Sequence, residues 1–270
     1  MIYLEQTPSP VLRPWVRTLW YCRNPLPVTG RERVLPNGCT QVVLNLARNF
    51  LTECREDGTV SGRLSHAIVA GTRARFEVID VSDTEHLAGV VIEPGGFTGL
   101  FDERCDLFFE QSVALDCLWP QRTIVERLLE APTPAAKLAT LDALLRQTIG
   151  SKLRRSSVAG LAGQAIRVFQ TSEASVAECA RITGVSERRL SQVFREEVGV
   201  PPRLWCRIRR FQGAIQDMYK GVDVPWAELA LRCGYYDQSH FINDFRAFSG
   251  ISPTTYSVLD KRWHNHVPLL

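Results

Sequence analysis

The chain has 270 residues, with an apolar fraction of 45% and a charged fraction of 23%, which is typical of an ordinary folded, soluble protein with room for two domains. No stretch approaches the roughly 18 consecutive apolar residues of a membrane span. The first ten residues also lack the basic and apolar segments of a secretory signal. We therefore expect a cytoplasmic protein without a membrane partner.

The net charge of +3 is unevenly distributed along the chain. Residues 1–150 carry 15 Lys and Arg against 18 Asp and Glu, a net charge of −3. Residues 151–270 carry 17 against 11, a net charge of +6. A basic half attached to a slightly acidic one suggests that the C-terminal half meets a polyanion, such as a nucleic acid.

The first hundred residues alternate between short apolar runs and turn sequences. Strands are predicted at 40–46, 67–70, 76–81 and 87–92. The turns between them contain Pro-Asn-Gly at 36–38, Asp-Gly at 57–58 and Pro-Gly-Gly at 94–96. Several short strands at close spacing predict a β-sandwich or a small barrel.

Helical periodicity begins after this β-rich part. Two helices are predicted at 119–130 and 134–150, separated by the Pro-containing segment 131–134. They would close the barrel or pack against a second subunit. The polar, basic stretch 151–157 that follows is a candidate linker, and everything after it has the pattern of helices.

A helix-turn-helix pattern begins at Ser175. This serine and Glu178 form a capping box, which predicts the start of a helix. Gly184 can take the positive φ of a tight turn, and Ser186 can cap a second helix. Ala180 supplies the small residue where the two helices must approach closely.

The same pattern occurs a second time. Ala230 and Gly234 keep the four-residue separation of the first unit, and Asp237 can cap the following helix. Between the two units, residues 202–220 predict one continuous helix of about 28 Å, which would act as a rigid spacer. A single pattern of this kind also occurs in ordinary helical corners, but two of them in the basic half indicate DNA binding.

Four stretches of the C-terminal half form a specific combination: GVSERRLSQVFREEVGVPP at 184–202, RIRRF at 207–211, GYYDQSHFINDFR at 234–246 and GISPTTY at 250–256. On these stretches, residues 158–257 resemble the DNA-binding domain of the AraC/XylS family of transcription regulators. The departures are Tyr235, where Phe is usual, and Cys206 in the spacer helix.

The N-terminal half resembles the small β-rich domain of one AraC subgroup through LPNG at 35–38, Gly71 and EPGG at 93–96. The resemblance implies a sensor or dimerising domain at 1–150, a linker at 151–157 and a DNA-binding domain at 158–260. The expected fold class is α+β with two domains. The first is an N-terminal β-barrel or cupin-like sandwich with trailing helices, and the second is an all-α domain with two helix-turn-helix units joined by a long linker helix.

The outward faces of the predicted recognition helices supply the candidate DNA contacts. The resemblance places the Arg and Gln of the first helix at base-facing positions, where Arg suits guanine and Gln suits adenine. The remaining basic residues suit phosphate. The candidates are Arg188, Ser191, Gln192 and Arg195 on the first helix, Arg209 on the spacer helix, and Gln238, Ser239, Asn243 and Arg246 on the second helix.

Other functions have weaker support. A metal-dependent cupin enzyme would need about three His and a carboxylate, and the N-terminal half offers only His66 and His86, with Glu77 or Glu85. We therefore expect no catalytic residues, metal or cofactor.

A thiol sensor would use Cys105 and Cys117, with Arg104 as the only activating charge. The eight cysteines show no C-x-x-C spacing and are expected to be reduced thiols that act as small apolar groups. The favoured partners are double-stranded operator DNA and an unknown small-molecule effector bound inside the barrel. RNA polymerase and a second copy of the chain are further candidates.

Overall fold

The computed structural model describes residues 1–24, 29–119, 123–150, 160–221, 224–261 and 263–269. The predicted linker at 151–157 lies outside the described residues. None of the helices in the described part of the chain is long and apolar enough to cross a membrane.

The N-terminal part is a sandwich of two antiparallel sheets, as the turn spacing predicted. The strands are β1 (Ile2–Gln6), β2 (Val16–Arg23), β3 (Arg31–Val34), β4 (Gln41–Asn45), β5 (Phe50–Cys54), β6 (Val60–Ser65), β7 (Ala67–Ala70), β8 (Glu77–Asp80), β9 (His86–Ile92), β10 (Ser112–Ala114) and β11 (His266–Pro268). Sheet A has the order β1-β2-β9-β4-β7-β10, and sheet B has the order β11-β3-β8-β5-β6.

The two faces of sheet A have different environments because side chains alternate along each strand. On β2, Leu19 and Tyr21 are buried, whereas Trp20 and Cys22 are only partly buried. The buried face packs against three helices in one hydrophobic core. These helices are α1 (Phe97–Phe101), α2 (Ile124–Glu130) and α3 (Pro134–Gly150). The predicted helices thus cover the sandwich, and Leu138, Leu141, Leu144 and Leu145 of α3 are buried against it.

The C-terminal part is helical. Its elements are α4 (Leu161–Thr171), α5 (Val176–Ile182), α6 (Glu187–Val198), α7 (Pro202–Tyr219), α8 (Trp226–Arg232), α9 (Gln238–Ser249) and α10 (Pro253–Val258). The first core of this part contains a triangle of aromatic rings from Phe169, Phe194 and Trp205. The second core is organised around Phe245, whose ring contacts those of Phe211, Phe241 and Tyr256. The spacer helix α7 contributes to both cores.

The C-terminal end of the chain returns to the N-terminal sandwich. Strand β11 pairs with β3 at the edge of sheet B, and Val267 at its centre is fully buried. Tyr256 of α10 donates a hydrogen bond of 2.7 Å to the carbonyl of His264, which ties this strand to the last helix. A three-residue strand whose partner is more than 200 positions away leaves no local pattern, so the sequence did not predict it.

Candidate nucleic-acid interface

The two helix-turn-helix units have matching turns. Gly184 and Gly234 take φ angles of 72° and 77°. In each unit, the backbone N–H of the residue after the glycine donates to the carbonyl of the small residue predicted at the helix contact. These bonds are Val185 to Ala180 at 3.0 Å and Tyr235 to Ala230 at 2.9 Å. The weak duplication in the sequence is therefore a real structural repeat.

Side-chain caps begin three of the four helices of the two units as predicted, and α8 begins after Pro225. Ser175 and Glu178 form the complete capping box at the start of α5. Ser186 caps α6, and Asp237 caps α9 through a 2.7 Å bond from the backbone N–H of His240. We call α6 and α9 the recognition helices, because each is the second helix of its unit.

The candidate contacts on α6 lie on the surface of the protein. Arg188, Gln192 and Arg195 are exposed, and Ser191 is partly buried. The amide of Gln192 donates to the carboxylate of Glu196 at 3.1 Å. This bond is on the surface and can be exchanged for a bond to a base edge.

The candidate contacts on α9 are also accessible. Gln238, Ser239, Asn243 and Arg246 are all exposed. The imidazole of His240 packs edge-to-face on Tyr235, with ring centroids 5.2 Å apart, and is only partly buried. The four candidates, which are all polar, thus form one free face of α9.

Three arginines of the spacer helix have hydrogen-bond or ion-pair partners within the chain. Arg207 makes an ion pair of 2.6 Å with Asp244 of α9, whose side chain is only 6% exposed. Arg210 donates to the carbonyl of Gly234 at 2.9 Å. Arg209, a candidate DNA contact, donates to the carbonyl of Phe169 at the end of α4 and lies over Trp205. Arg207 and Arg210 thus connect α7 to the second unit, and Arg209 connects it to α4, whose Phe169 packs on Phe194 of the first unit.

Both recognition helices end against the N-terminal sandwich. Gly199 follows α6, and a Cβ atom at this position would lie 2.3 Å from Oγ1 of Thr72. Gly250 follows α9, and a Cβ atom there would lie 2.5 Å from the ring of Phe76. The backbone N–H of Phe76 also donates to the carbonyl of Phe248 at 3.0 Å. The loop between β7 and β8 therefore touches the ends of both recognition helices, a connection that the sequence did not predict.

A large cavity lies between the two sheets. Its volume is about 1080 Å³, and it is lined by the half-buried faces of both sheets and by the C-terminal residues Trp263, His264 and His266. Among the lining residues, Trp20 and Val43 are partly accessible although they face the other sheet. The space between the sheets is therefore open to small molecules, and the end of the helical part forms one of its walls.

The residues considered for a metal site are used in other ways. His86 lies 3.1 Å from the hydroxyl of Tyr21, and Glu77 makes an ion pair of 2.7 Å with Arg73. Within the described residues, no three His, Cys, Asp or Glu side chains come together as a metal site would require.

The thiol considered for a sensor lies in an unfavourable environment for reactivity. Cys105 is buried, and this burial raises the pKa of its thiol to about 12. Its neighbour Arg104 is paired with Asp106 at 2.6 Å, so the positive charge is directed to a carboxylate. Reactive thiols require a lowered pKa, and the structure supplies no such effect at Cys105.

The chain is similar to known proteins in both of its parts. Residues 179–257 match the sequence profile of a helix-turn-helix domain of the AraC type. Residues 4–114 match a domain of unknown function, DUF6597. The solved structure of ToxT from Vibrio cholerae covers 95% of this chain and 96% of its own chain, at 11% identity and a TM-score of 0.44.

Two named relatives match the helical part. The HTH-type transcriptional activator AarP of Providencia stuartii is 28% identical over 95 residues, which are 35% of this chain and 70% of AarP. The probable transcriptional regulator LumQ of Photobacterium leiognathi is 29% identical over 82 residues, which are 30% of this chain and a third of LumQ. The helical part, with its two helix-turn-helix units, is thus a DNA-binding domain of the AraC type, and the chain is similar to transcription regulators that carry such a domain.

Proposed function

We propose that one copy of the chain reads two adjacent major-groove segments of its operator, one with α6 and one with α9. The observation that carries this proposal is that α7 is fixed to both units, to the second by Arg207 and Arg210 and to the first by the packing of Trp205 on Phe194. Helix α7 has 18 residues, or about 27 Å at 1.5 Å per residue. This length is compatible with two recognition helices in successive grooves roughly 34 Å apart.

The exposed side chains divide into two roles. On α6, Arg188, Ser191 and Gln192 are proposed to contact bases, because bidentate Arg and Gln donors discriminate between bases in the major groove. On α9, Gln238 and Asn243 have the same role. Ser239, Arg195 and Arg246 are proposed as phosphate contacts, which fix register without reading sequence. Arg209 supports this surface from within, because it is held by Phe169 and Trp205.

We expect Arg188→Ala to weaken operator binding by roughly 1–3 kcal/mol and to relax sequence preference at one or two base pairs. The physical reason is the loss of a bidentate contact to one base while the rest of the interface is kept. The measurement is binding of the full chain to a library of single-base operator variants. Arg55→Ala, an exposed arginine on the N-terminal sandwich, is the matched control. A uniform loss across all sequences would instead make Arg188 a phosphate contact.

Replacing Gln238 and Asn243 together by Ala should remove protection from one groove segment and leave the other protected. The two recognition helices differ in sequence, so the two segments should differ and form no palindrome within the site of one copy. Footprinting of the full chain at limiting concentration measures this. A footprint confined to one segment in the parent protein, unchanged by the double substitution, would show that the second unit is structural only.

We further propose that residues 1–150 form a sensor domain and that its cavity holds a small-molecule effector. Pockets for such ligands typically have about 300–1,000 Å³, and this cavity of about 1080 Å³ is at the upper end of that range. Two of its walls contact the DNA-binding part, which is proposed to span 158–260. One is the segment that contains Arg73 and Phe76, and the other is the C-terminal segment with Trp263 and His264. A ligand that moves either wall would alter how the recognition helices are held.

The same arrangement leaves other partners open. The sensor domain could pair with a second copy of the chain, and DNA-bound regulators of this family are candidates for contact with RNA polymerase. We assign neither surface. The alternatives of a thiol-responsive or metal-responsive regulator have no supporting geometry at Cys105 or at His86.

A further inference from the structure

We propose that the effector held by this cavity is an amphipathic organic cation, such as an aromatic amine or a quaternary ammonium compound. The inference rests on the proposed effector role of the cavity and adds the chemical class of the ligand. It follows from the charges, the hydrogen-bond partners and the aromatic rings of the side chains that line the space between the sheets.

The inner face of sheet B carries carboxylates. Residues opposite each other on neighbouring strands point to the same face, and neighbouring strands lie about 4.8 Å apart. Glu32 of β3 lies opposite Ile79 of β8, and Ile79 lies opposite Glu53 of β5. The two carboxylates therefore project from the same side of the sheet, about 10 Å apart at their backbones. Both line the cavity.

Sheet A contributes a third carboxylate from the opposite side. Glu5 of β1 lies opposite Trp20 of β2, and both side chains line the cavity. Within the described residues, no Lys or Arg of the sheet A strands lines this space. The space is therefore bounded by negative charge on both sides.

Most other acidic groups near the cavity are neutralised by arginine. Glu77 pairs with Arg73 and Asp80 pairs with Arg31, each at 2.7 Å. Asp83 pairs in the same way with Arg48, and Glu56 with Arg75.

Of the four carboxylates that remain among the described lining residues, Glu5, Glu32 and Glu53 have weaker partners. Glu5 accepts a bond of 2.6 Å from the hydroxyl of Tyr3, and Glu53 accepts one of 3.1 Å from Ser61. Glu32 lies 3.1 Å from the imidazole of His266, and its side chain is 15% exposed. None of these three contacts supplies a permanent positive charge. Glu5 and Glu53 are exposed and Glu32 is partly buried, so all three carboxylates can accept charge-assisted hydrogen bonds from a bound cation.

Aromatic faces stand beside these carboxylates. A Cβ atom at Gly89 would lie 2.3 Å from the indole of Trp20, so this ring lies across β9 and faces the cavity. The rings of Tyr3 and Trp263 are tilted together with centroids 4.4 Å apart. A positive charge near aromatic faces gains cation–π attraction, whereas an anion would meet both the ring faces and the carboxylates unfavourably. The aromatic and aliphatic lining also suits the apolar part of the ligand.

The test uses two xanthene dyes of opposite charge as probes, the cation rhodamine 6G and the anion fluorescein. We expect fluorescence anisotropy to show binding of rhodamine 6G to the full chain and at least tenfold weaker binding of fluorescein. The double variant Glu32→Gln with Glu53→Gln keeps the size of both side chains and should weaken rhodamine 6G binding at least tenfold.

The matched control is Glu103→Gln with Glu126→Gln, which removes the same charge from two exposed positions outside the cavity. This control should bind rhodamine 6G within twofold of the parent, and the thermal unfolding midpoint of each variant shows that it is folded. Equal or tighter binding of fluorescein, equal loss in the control variant, or no binding of either dye would overturn the proposed ligand class.

Operator affinity measured with and without rhodamine 6G separates this inference from the proposed effector role. A change in operator affinity that disappears in the Glu32→Gln and Glu53→Gln variant supports both. Carboxylate-dependent dye binding with unchanged operator affinity keeps the ligand class and overturns the effector role. Fluorescein-selective binding that changes operator affinity keeps the effector role and overturns the ligand class.

Discussion

Raising the salt concentration from 50 to 200 mM is expected to weaken operator binding by the full chain about a thousandfold. Each phosphate neutralised by a cation releases counterions, so the logarithm of the affinity falls with a slope of about 0.9 per contact. Within the described residues, the segment from α5 to α9 exposes six arginines that have no acidic hydrogen-bond or ion-pair partner. These are Arg181, Arg188, Arg189, Arg195, Arg203 and Arg246. Arg188 is proposed to read a base, and phosphate contacts by the other five correspond to a loss of nearly three orders of magnitude over this range.

Single substitutions make this measurement specific. Arg195→Gln should lower the salt slope by about one, because it removes one phosphate contact. Arg55→Gln removes an exposed arginine from the N-terminal sandwich and should leave the slope unchanged. A salt slope close to zero for the parent protein would contradict the proposed interface, and an equal effect of both substitutions would show only a dependence on net charge.

Gly250→Ala is expected to lower the free energy of unfolding by about 2–5 kcal/mol. Gly250 has a φ of 72°, where an L-residue costs roughly 1–2 kcal/mol. The added methyl group would also lie 2.5 Å from the ring of Phe76, and overpacking of this kind costs typically 1–3 kcal/mol. Because Phe76 belongs to the sandwich and Gly250 to the end of α9, the second cost measures the contact between the two domains. Urea unfolding of the full chain measures the total loss of unfolding free energy.

Gly184→Ala is the matched control. Gly184 has the same φ of 72°, but a Cβ atom there would meet nothing within 4 Å. We therefore expect only the cost of the backbone conformation, about 1–2 kcal/mol. The excess for Gly250→Ala should disappear in a Phe76→Ala background, as a double-mutant cycle requires for two groups in contact. Equal losses for Gly184→Ala and Gly250→Ala in the parent protein would mean that α9 does not rest on the sandwich.

The contacts between the sandwich and the recognition helices connect the cavity to the proposed DNA-binding surface. Thr72 and Phe76 belong to one loop, yet the first contacts the end of α6 and the second contacts the end of α9. Arg73 lies between them in sequence and lines the cavity. A change at this arginine therefore reaches both units through one short segment.

Local chemistry made the C-terminal part predictable. A capping box at Ser175, caps at Ser186 and Asp237, and a glycine at each turn act over three or four residues. They can therefore be identified from residues that are close together in the sequence. The strand at Ala67–Ala70 was predicted with its bounds, and α7 ends one residue before its predicted end. The outward positions of α6 and α9 follow from helical periodicity once these bounds are known.

Long-range packing decided the rest. Arg209 stands in a basic run that suits phosphate, but its guanidinium reaches Phe169, which lies 40 positions earlier in the chain. Strand β11 pairs with β3 across most of the chain. The sequence by itself determined the two units, their caps and the polar faces of the recognition helices, because each depends on contacts within a few residues. Only the tertiary structure decided which arginines are free, where the helices rest on the sandwich, and which carboxylates share the cavity without a cation. Those outcomes depend on which residues, far apart in the sequence, come within contact distance of each other in the folded chain.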